Sequence, residues 1–226
     1  MYTILKYTAF IVLLMESCTN KQNTLFEKVT AQYANIYFNN KITPSDAVNA
    51  FTFTNFYNGG GVGIGDFNKD GLQDVFFTGN QESCRLYINK GDFKFEDITQ
   101  AAGVSTDRWC TGVSVADVNQ DGWDDIYICV ASHPTFKNTR NLLFINQKTA
   151  NPTFKEEAQL YGLDYEGFTT QTVFFDYDLD GDLDAYMLNT APDVQNPNVL
   201  RPAINNGTYP STDKLFRNEG LKEGHF

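Results

Sequence analysis

Short apolar runs alternate along the chain with polar loops, at intervals that suit β-strands rather than helices. No long segment shows the 3.6-residue apolar period of an amphipathic helix. Three apolar or small-residue runs end directly before an aspartate-rich loop, and a β-rich run follows each loop. The runs before the loops are residues 62–65, 113–116 and 172–175, and the runs after them are residues 75–77, 126–128 and 185–187. Each unit is predicted to be strand, loop, strand.

Two further markers recur after the loops and lengthen the repeat. A Leu-aromatic marker ends in Asn at residues 86–89, 143–146 and 215–218. A marker that begins with Phe follows at residues 95–99 and 154–158, and an early copy stands at residues 26–30. Each unit of roughly 50–60 residues therefore supplies about four short strands, the content of one β-propeller blade. The early copy fits a strand that would complete the last blade of a ring.

The number of units sets the expected architecture. Closed propellers use about four to eight blades, so three units do not close a ring. The fold class predicted here is all-β, a partial β-propeller of about three four-stranded blades. We expect the blades, over residues 25–226, to form the N-terminal part of a larger propeller. The alternative is that several chains complete the ring by assembly.

The three loops share the pattern D-x-[DN]-x-D-G-x-x-D, which suits a metal cage. Positions 1, 3 and 5 present side-chain oxygens toward one centre, and glycine at position 6 allows a sharp turn. A main-chain carbonyl at position 7 and the aspartate at position 9 complete an all-oxygen site that favours Ca²⁺ over Mg²⁺. The predicted ligands are Asp66, Asn68, Asp70, Leu72 (carbonyl) and Asp74; Asp117, Asn119, Asp121, Trp123 (carbonyl) and Asp125; and Asp176, Asp178, Asp180, Asp182 (carbonyl) and Asp184.

The alternative for these loops is that Asp, Asn and Gly simply mark turns. Three copies with identical spacing inside a repeat favour about three Ca²⁺ sites instead. The loops also hold twelve of the 28 acidic residues, against 17 Lys and Arg in the chain. The formal charge of −11 argues against nucleic acid or an anionic lipid surface as the main partner. Cations are better candidates.

The N-terminus has the features of an export signal. Lys6 precedes a nine-residue apolar stretch, which is too short for a membrane span of about 20 residues. Cys18 directly follows Ser17, as in a bacterial lipoprotein signal in which the cysteine is acylated. We therefore expect a signal peptide over residues 1–17, lipidation at Cys18 and a linker over residues 18–24. The alternative is an ordinary signal peptide with an incidental cysteine.

Three further cysteines, Cys84, Cys110 and Cys129, leave an odd number in an exported protein. If the second loop is a hairpin centred on Asp121, Cys129 lies opposite Val113. Cys110 is then three residues further along and points to the other face of the sheet. This register favours buried free thiols over a Cys110–Cys129 disulfide.

Longer segments around the loops resemble a known repeat family. They read GVGIGDFNKDG from Gly61, GVSVADVNQDG from Gly112 and LYINKGDFKFEDITQAAGV from Leu86. These segments resemble FG-GAP/VCBS repeats, the calcium-binding blade repeats also found in integrin alpha-subunit propellers. Together with FFDYDLDGDLDAYMLN from Phe174, they resemble exported bacterial VCBS-repeat lipoproteins, whose longer members end in an ASPIC/UnbV-type domain. The resemblance implies a propeller at the cell envelope, lipid-anchored to the outer membrane.

Two functions fit this resemblance. The first is a non-catalytic module that binds an extracellular glycan or protein, and the alternative is the propeller portion of an envelope polysaccharide lyase or hydrolase. The first is favoured, because almost every clustered carboxylate is already assigned to metal and is not free for acid–base work. Extra residues lie in the connections 132–140 and 191–214, which we expect to be surface loops. Arg201 and Tyr209 in the longer one are candidates for ligand contact, although a functionless insertion fits equally.

Overall fold

The computed structural model describes residues 24–190, 206–209 and 211–219. The chain divides into two compact units, Met1–Thr30 and Ala31–Phe226. Residues 24–30 of the first unit contain no helix or strand, and the hydroxyl of Thr24 donates a hydrogen bond to the carbonyl of Phe26. The expected closing strand at residues 26–30 stays a prediction. The predicted signal peptide and Cys18 lie outside the described residues.

The second unit is built from three antiparallel sheets, with the strands of each sheet in chain order. The first sheet consists of β1 (Val62–Gly65), β2 (Asp74–Phe77), β3 (Arg85–Asn89) and β4 (Phe95–Asp97). The second consists of β5 (Cys110–Ala116), β6 (Asp125–Val130), β7 (Leu142–Asn146) and β8 (Phe154–Glu156). The third consists of β9 (Thr169–Phe175), β10 (Asp184–Asn189) and β11 (Lys214–Phe216). Two short helices, α1 (Ala31–Ala34) and α2 (Thr99–Ala102), complete the described elements.

The all-β prediction is confirmed, and every predicted run and marker from residue 62 onward overlaps a strand. The first two sheets have four strands each, as expected for blades. The third has three strands among the described residues, so its predicted fourth strand is not observed there. The described residues form no closed ring.

The sheets pack face to face through their first strands, with β5 between β1 and β9. Small residues in β1 permit this close approach. A Cβ added to Gly63 would lie 2.9 Å from a methyl group of Val115 on β5. Around this contact, Phe76 and Leu86 of the first sheet share a buried cluster with Ile126 of the second. A second cluster, which includes Tyr127 and Met187, joins the second sheet to the third.

The outer faces of the first and third sheets are more exposed than the faces that meet at the interfaces between sheets. Val62 of β1 stands four residues before Asp66, and Val113 of β5 stands four residues before Asp117. Val62 is 57% exposed, whereas Val113 is 7% exposed because it packs on the first sheet. At the other end of the series, Val173 of β9 is 54% exposed. Apolar residues are therefore exposed on the outer faces of the first and third sheets, which are the two ends of the described series.

The end of α1 and the residues after it cover the outer part of the first sheet. Ala34, Ile36 and Phe38 pack against a cluster on that sheet that includes Tyr87 and Phe95. The rings of Phe38 and Phe77 are stacked, with centroids 5.1 Å apart. The end of α2 and the residues after it take the same role at the next interface, where Ala102 and Val104 join the cluster between the first and second sheets.

The pairing of β5 with β6 corrects the predicted cysteine register. Val113 lies opposite Ile128 and Cys110 lies opposite Val130, with a β-bulge between Cys110 and Val113. The predicted register, with Cys129 opposite Val113, is wrong by one residue, because pairing begins at Ala116 and Asp125 and leaves an even number of loop residues. Cys110 and Cys129 still belong to different core clusters, and the structure shows all three described cysteines as buried thiols.

The connection between β6 and β7 is less exposed than its expected role as a surface loop implies. His133 is buried, and its ring lies 5.5 Å from that of Phe53. Phe136 stacks on Trp109 at 5.1 Å. The extra residues of this connection therefore help to build an aromatic cluster with residues 53–56.

Candidate metal sites in the aspartate loops

The three loops that follow β1, β5 and β9 have the same backbone conformation at two positions. Position 4 is left-handed although it is not glycine, with φ of 60° at Lys69, 58° at Gln120 and 64° at Leu179. Position 6 is glycine with φ between 85° and 102° in all three loops. Two left-handed residues with one residue between them curl the chain tightly. The sequence predicted the turn at position 6 and missed the one at position 4.

The first aspartate of each loop holds this curl together. The carboxylate of Asp66 accepts hydrogen bonds from the N–H groups of Asp70 at 3.1 Å and Gly71 at 2.9 Å. Asp117 accepts from the corresponding residues, Asp121 at 2.9 Å and Gly122 at 2.7 Å. In the third loop Asp176 Oδ2 accepts from the N–H of Gly181 at 3.1 Å. The loops are therefore preorganised by their own acidic side chains.

The aspartate at position 9 ties each loop to the third strand of its sheet. Asp74 accepts from the N–H of Phe67 at 3.0 Å and of Asn89 at 2.8 Å. The corresponding residues in the second and third loops, Asp125 and Asp184, make the same pair of bonds. All three position-9 side chains are fully buried. Each accepts one bond per oxygen, which leaves lone pairs on the carboxylate for another ligand.

The asparagine that closes the Leu-aromatic marker belongs to the site, although the sequence analysis gave it no role there. Asn89, Asn146 and Asn218 each donate their main-chain N–H to the position-9 aspartate of their own unit. Their side-chain amides donate to carbonyl groups beside the loops, at Gln73, Phe67 and Leu183 respectively. The signal was present, since all three markers end in Asn.

The predicted side-chain ligands come together most closely in the third loop. Carboxylate oxygens of Asp176, Asp178 and Asp184 lie within 4.8 Å of one another. Asp176 Oδ1 and Asp182 Oδ1 are buried and receive no hydrogen bond from the described residues. A buried carboxylate oxygen without a donor is costly unless a cation or water satisfies it. The donor set therefore fits a hard, oxygen-seeking cation.

The electrostatics of the loops point the same way. Burial raises the pKa of Asp74 to about 6 and that of Asp125 to about 7, against the opposing effect of the two N–H donors on each. The neighbouring loop aspartates add to both increases. In the third loop, desolvation and the charge of Asp180 raise the pKa of Asp178 and of Asp182. A bound cation would oppose these shifts by favouring the ionised carboxylates.

The second loop has a cationic neighbour within the protein. Lys148 Nζ lies 3.0 Å from Asp121 Oδ2. Half of the Lys148 side chain is exposed to solvent, so this ion pair is weak and does not take the place of a bound cation in the loop.

The structure gives contacts for some of the other predicted residues and not for the rest. Asn68 and Asp70 are joined by a 2.9 Å bond from the Asn68 amide to the Asp70 carboxylate, and Asn119 accepts from the Asp121 N–H. Tyr209 is half-buried, and its carbonyl accepts from the N–H of Thr212. Arg201 lies outside the described residues. The carbonyl ligands of Leu72, Trp123 and Asp182 stay predictions.

Comparison with known proteins supports the repeat. Residues 66–128, which begin at the first aspartate of the first loop and include the second loop, match the FG-GAP-like repeat. Over 146 residues the chain is 27% identical to Cartilage acidic protein 1 of Mus musculus, which covers 63% of this chain and 22% of that protein. The chain thus spans about a fifth of the length of this relative. Within the part of the chain that the structure describes, no helix combines the length and apolar character of a membrane span. Residues 66–128 are therefore similar to FG-GAP-like repeats, and the third sheet carries the same loop in the same place.

Proposed function

We propose that this chain is a calcium-binding β-propeller repeat protein in which each of the three aspartate loops holds one Ca²⁺. The observation that carries the proposal is the third loop, where carboxylate oxygens of Asp176, Asp178 and Asp184 lie within 4.8 Å of one another and the buried Asp176 Oδ1 accepts no hydrogen bond from the described residues. Several carboxylates in a flexible, all-oxygen site suit Ca²⁺ better than Mg²⁺. The repeated backbone of the other two loops extends the proposal to them.

The ion has a structural role in this proposal. Its carboxylate ligands connect the first and second strands of a blade, and the position-9 aspartate connects the loop to the third strand. Bound Ca²⁺ would therefore stabilise each blade, because the full ligand set exists only when these strands are in place. The third loop, with an aspartate at position 3 instead of asparagine, should bind most tightly.

The chain acts, in our proposal, as a non-catalytic binding module for an extracellular glycan or protein. The position-9 carboxylates each accept two main-chain hydrogen bonds and, together with the other loop carboxylates, serve the ion, so these groups are not available for proton transfer. FG-GAP-like repeats provide a rigid scaffold on which longer connections present binding residues. Tyr209 and Arg201 are the proposed contacts. We further propose export and anchoring to the outer membrane through a lipid on Cys18.

Calcium content tests the metal part of the proposal. The full chain, dialysed against Ca²⁺ and then against buffer, should retain about three ions by elemental analysis. Asp178→Asn should bind the third-loop ion more weakly, whereas Asp46→Asn, at an exposed aspartate outside the loops, should not change binding. Retention of no calcium by the folded protein would overturn the metal assignment.

Ligand binding tests the module separately. The calcium-loaded chain on an array of extracellular glycans should bind a subset of them, and Tyr209→Ala should reduce that signal while calcium content stays unchanged. Release of reducing ends from a panel of acidic and neutral polysaccharides would contradict the non-catalytic assignment.

A further inference from the structure

Two cysteines lie against each other at the interface between the first and second sheets. Cys84 immediately precedes β3, and Cys110 is the first residue of β5. Both are 0% exposed and belong to one core cluster with Leu86 and Val130. A side-chain hydrogen bond with Cys110 lowers the pKa of the Cys84 thiol and raises that of Cys110, so the two thiols are neighbours in this cluster. Neither residue takes part in the loops described above.

The backbone around the pair is fixed on both sides. The N–H of Cys110 donates to the carbonyl of Gly79 at 3.0 Å, and the Asn80 amide donates to the carbonyl of Cys110 at 2.9 Å. On the side of Cys84, the hydroxyls of Ser83 and Ser105 are 2.9 Å apart. These bonds join the loop between β2 and β3 to the start of β5. A disulfide needs its two cysteines held close with little backbone movement, and these bonds restrain the backbone near both cysteines.

We propose that Cys84 and Cys110 form an intramolecular disulfide that links the first sheet to the second. The inference rests on the proposed export of the chain, because disulfides form and persist in oxidising compartments. Cys129 is excluded as a partner. It lies in the other core cluster, its Sγ is 3.3 Å from the Thr172 hydroxyl, and burial raises its pKa to about 12.

The chemistry is thiol–disulfide exchange with a disulfide donor, either a disulfide oxidoreductase or a small disulfide such as oxidised glutathione. The Cys84 thiolate attacks the donor disulfide, so a mixed disulfide forms and one donor thiol leaves. Cys110 then loses its proton and attacks Cys84 Sγ, which forms the protein disulfide and releases the second donor thiol. The disulfide formed is the same if Cys110 attacks the donor first. Both residues are buried in the fold, so the reaction accompanies assembly of the interface.

Thiol counting on the full chain tests the proposal directly. The protein is refolded with Ca²⁺ in a mixture of oxidised and reduced glutathione, quenched with acid, denatured and alkylated. Of the four cysteines, two should be alkylated, Cys18 and Cys129, and the unalkylated chain should be about 2 Da lighter than the reduced chain. Without reduction, trypsin should release residues 70–85 linked to residues 109–137, and fragmentation of this linked pair should place the link at Cys110 and the alkyl group at Cys129. Alkylation of all four cysteines, or a link through Cys129, would overturn the proposal.

Matched variants give a second readout. Chemical reduction before refolding should lower the melting temperature of the wild-type chain and of Cys129→Ala by about 5–10 °C. The same treatment should leave Cys84→Ala unchanged, and an equal response of Cys84→Ala and wild type would contradict the assignment. Calcium content, measured on the same samples, separates this inference from the proposed function, since a cross-linked chain without bound calcium fails only the latter.

Discussion

Asp124, in the loop of the second sheet, accepts a hydrogen bond at 3.0 Å from the main-chain N–H of Asp66, the first residue of the loop in the first sheet. The bond joins two candidate metal sites across the interface between sheets. The side-chain amide of Asn146 crosses the same interface and donates to the carbonyl of Phe67 at 2.9 Å. The loops are therefore linked to one another as well as to their own strands.

This link predicts an effect of one loop on the next. Asp124→Ala should weaken Ca²⁺ binding at the first loop about 5-fold, because the N–H that orients Asp66 loses its acceptor, a loss of about 1 kcal/mol. Gln73→Ala is the control, since Gln73 takes the same position 8 in the first loop and is exposed. Isothermal titration with Asp176→Asn and Asp117→Asn backgrounds isolates the first site. Equal affinities for Asp124→Ala and Gln73→Ala would argue against coupling.

The marker asparagines should contribute unequally to stability. Asn146 is 1% exposed, and its amide bridges two sheets, whereas Asn89 is half-buried and bonds within its own unit. Asn146→Ala should lower the free energy of unfolding by about 2–3 kcal/mol, because buried carbonyl acceptors lose their donor. Asn89→Ala should cost about 1 kcal/mol. Urea denaturation followed by fluorescence measures both, and a larger loss for Asn89→Ala would refute the assigned roles.

Val113 and Val62 occupy the same position of successive units, and Val113 is buried at an interface whereas Val62 lies on the exposed face of the first sheet. Val113→Ala should lower the free energy of unfolding by about 2 kcal/mol, because it removes two buried methyl groups from the interface. Val62→Ala, at the same position of the preceding unit, should cost less than about 0.5 kcal/mol, because Val62 is exposed. The same urea titration compares them. Comparable losses would mean that the face with Val62 is covered in solution.

The local structure of this chain could be predicted from its sequence, and the contacts between repeats could not. The spacing of the aspartates and apolar runs located the strands around Asp66, Asp117 and Asp176, because hairpins are short-range structures whose period is visible in one unit. The Asp124–Asp66 bond depends on how two sheets pack, which no periodicity encodes. The register of Cys110 differed for a related reason, since a β-bulge changes pairing without changing composition.

Loss of a charged ligand from the third loop should reduce Ca²⁺ affinity more than loss of a neutral ligand from the first loop. Asp180→Ala should weaken its site more than Asn68→Ala weakens the first site, because a carboxylate contributes charge to Ca²⁺ binding that an amide does not. Calcium titrations of the two variants, each compared with the wild-type chain, measure the difference. Identical losses would count against the ligand assignment in both loops.

Thermal unfolding with and without calcium tests the central claim most directly. Removal of Ca²⁺ with a chelator should lower the melting temperature of the chain, because the cation binds only the folded loops. Added Ca²⁺ should restore the melting temperature, and Mg²⁺ at the same concentration should restore less, since it needs a tighter octahedral site. A melting temperature that does not respond to chelation, in a sample that elemental analysis shows to be free of calcium, would contradict the account.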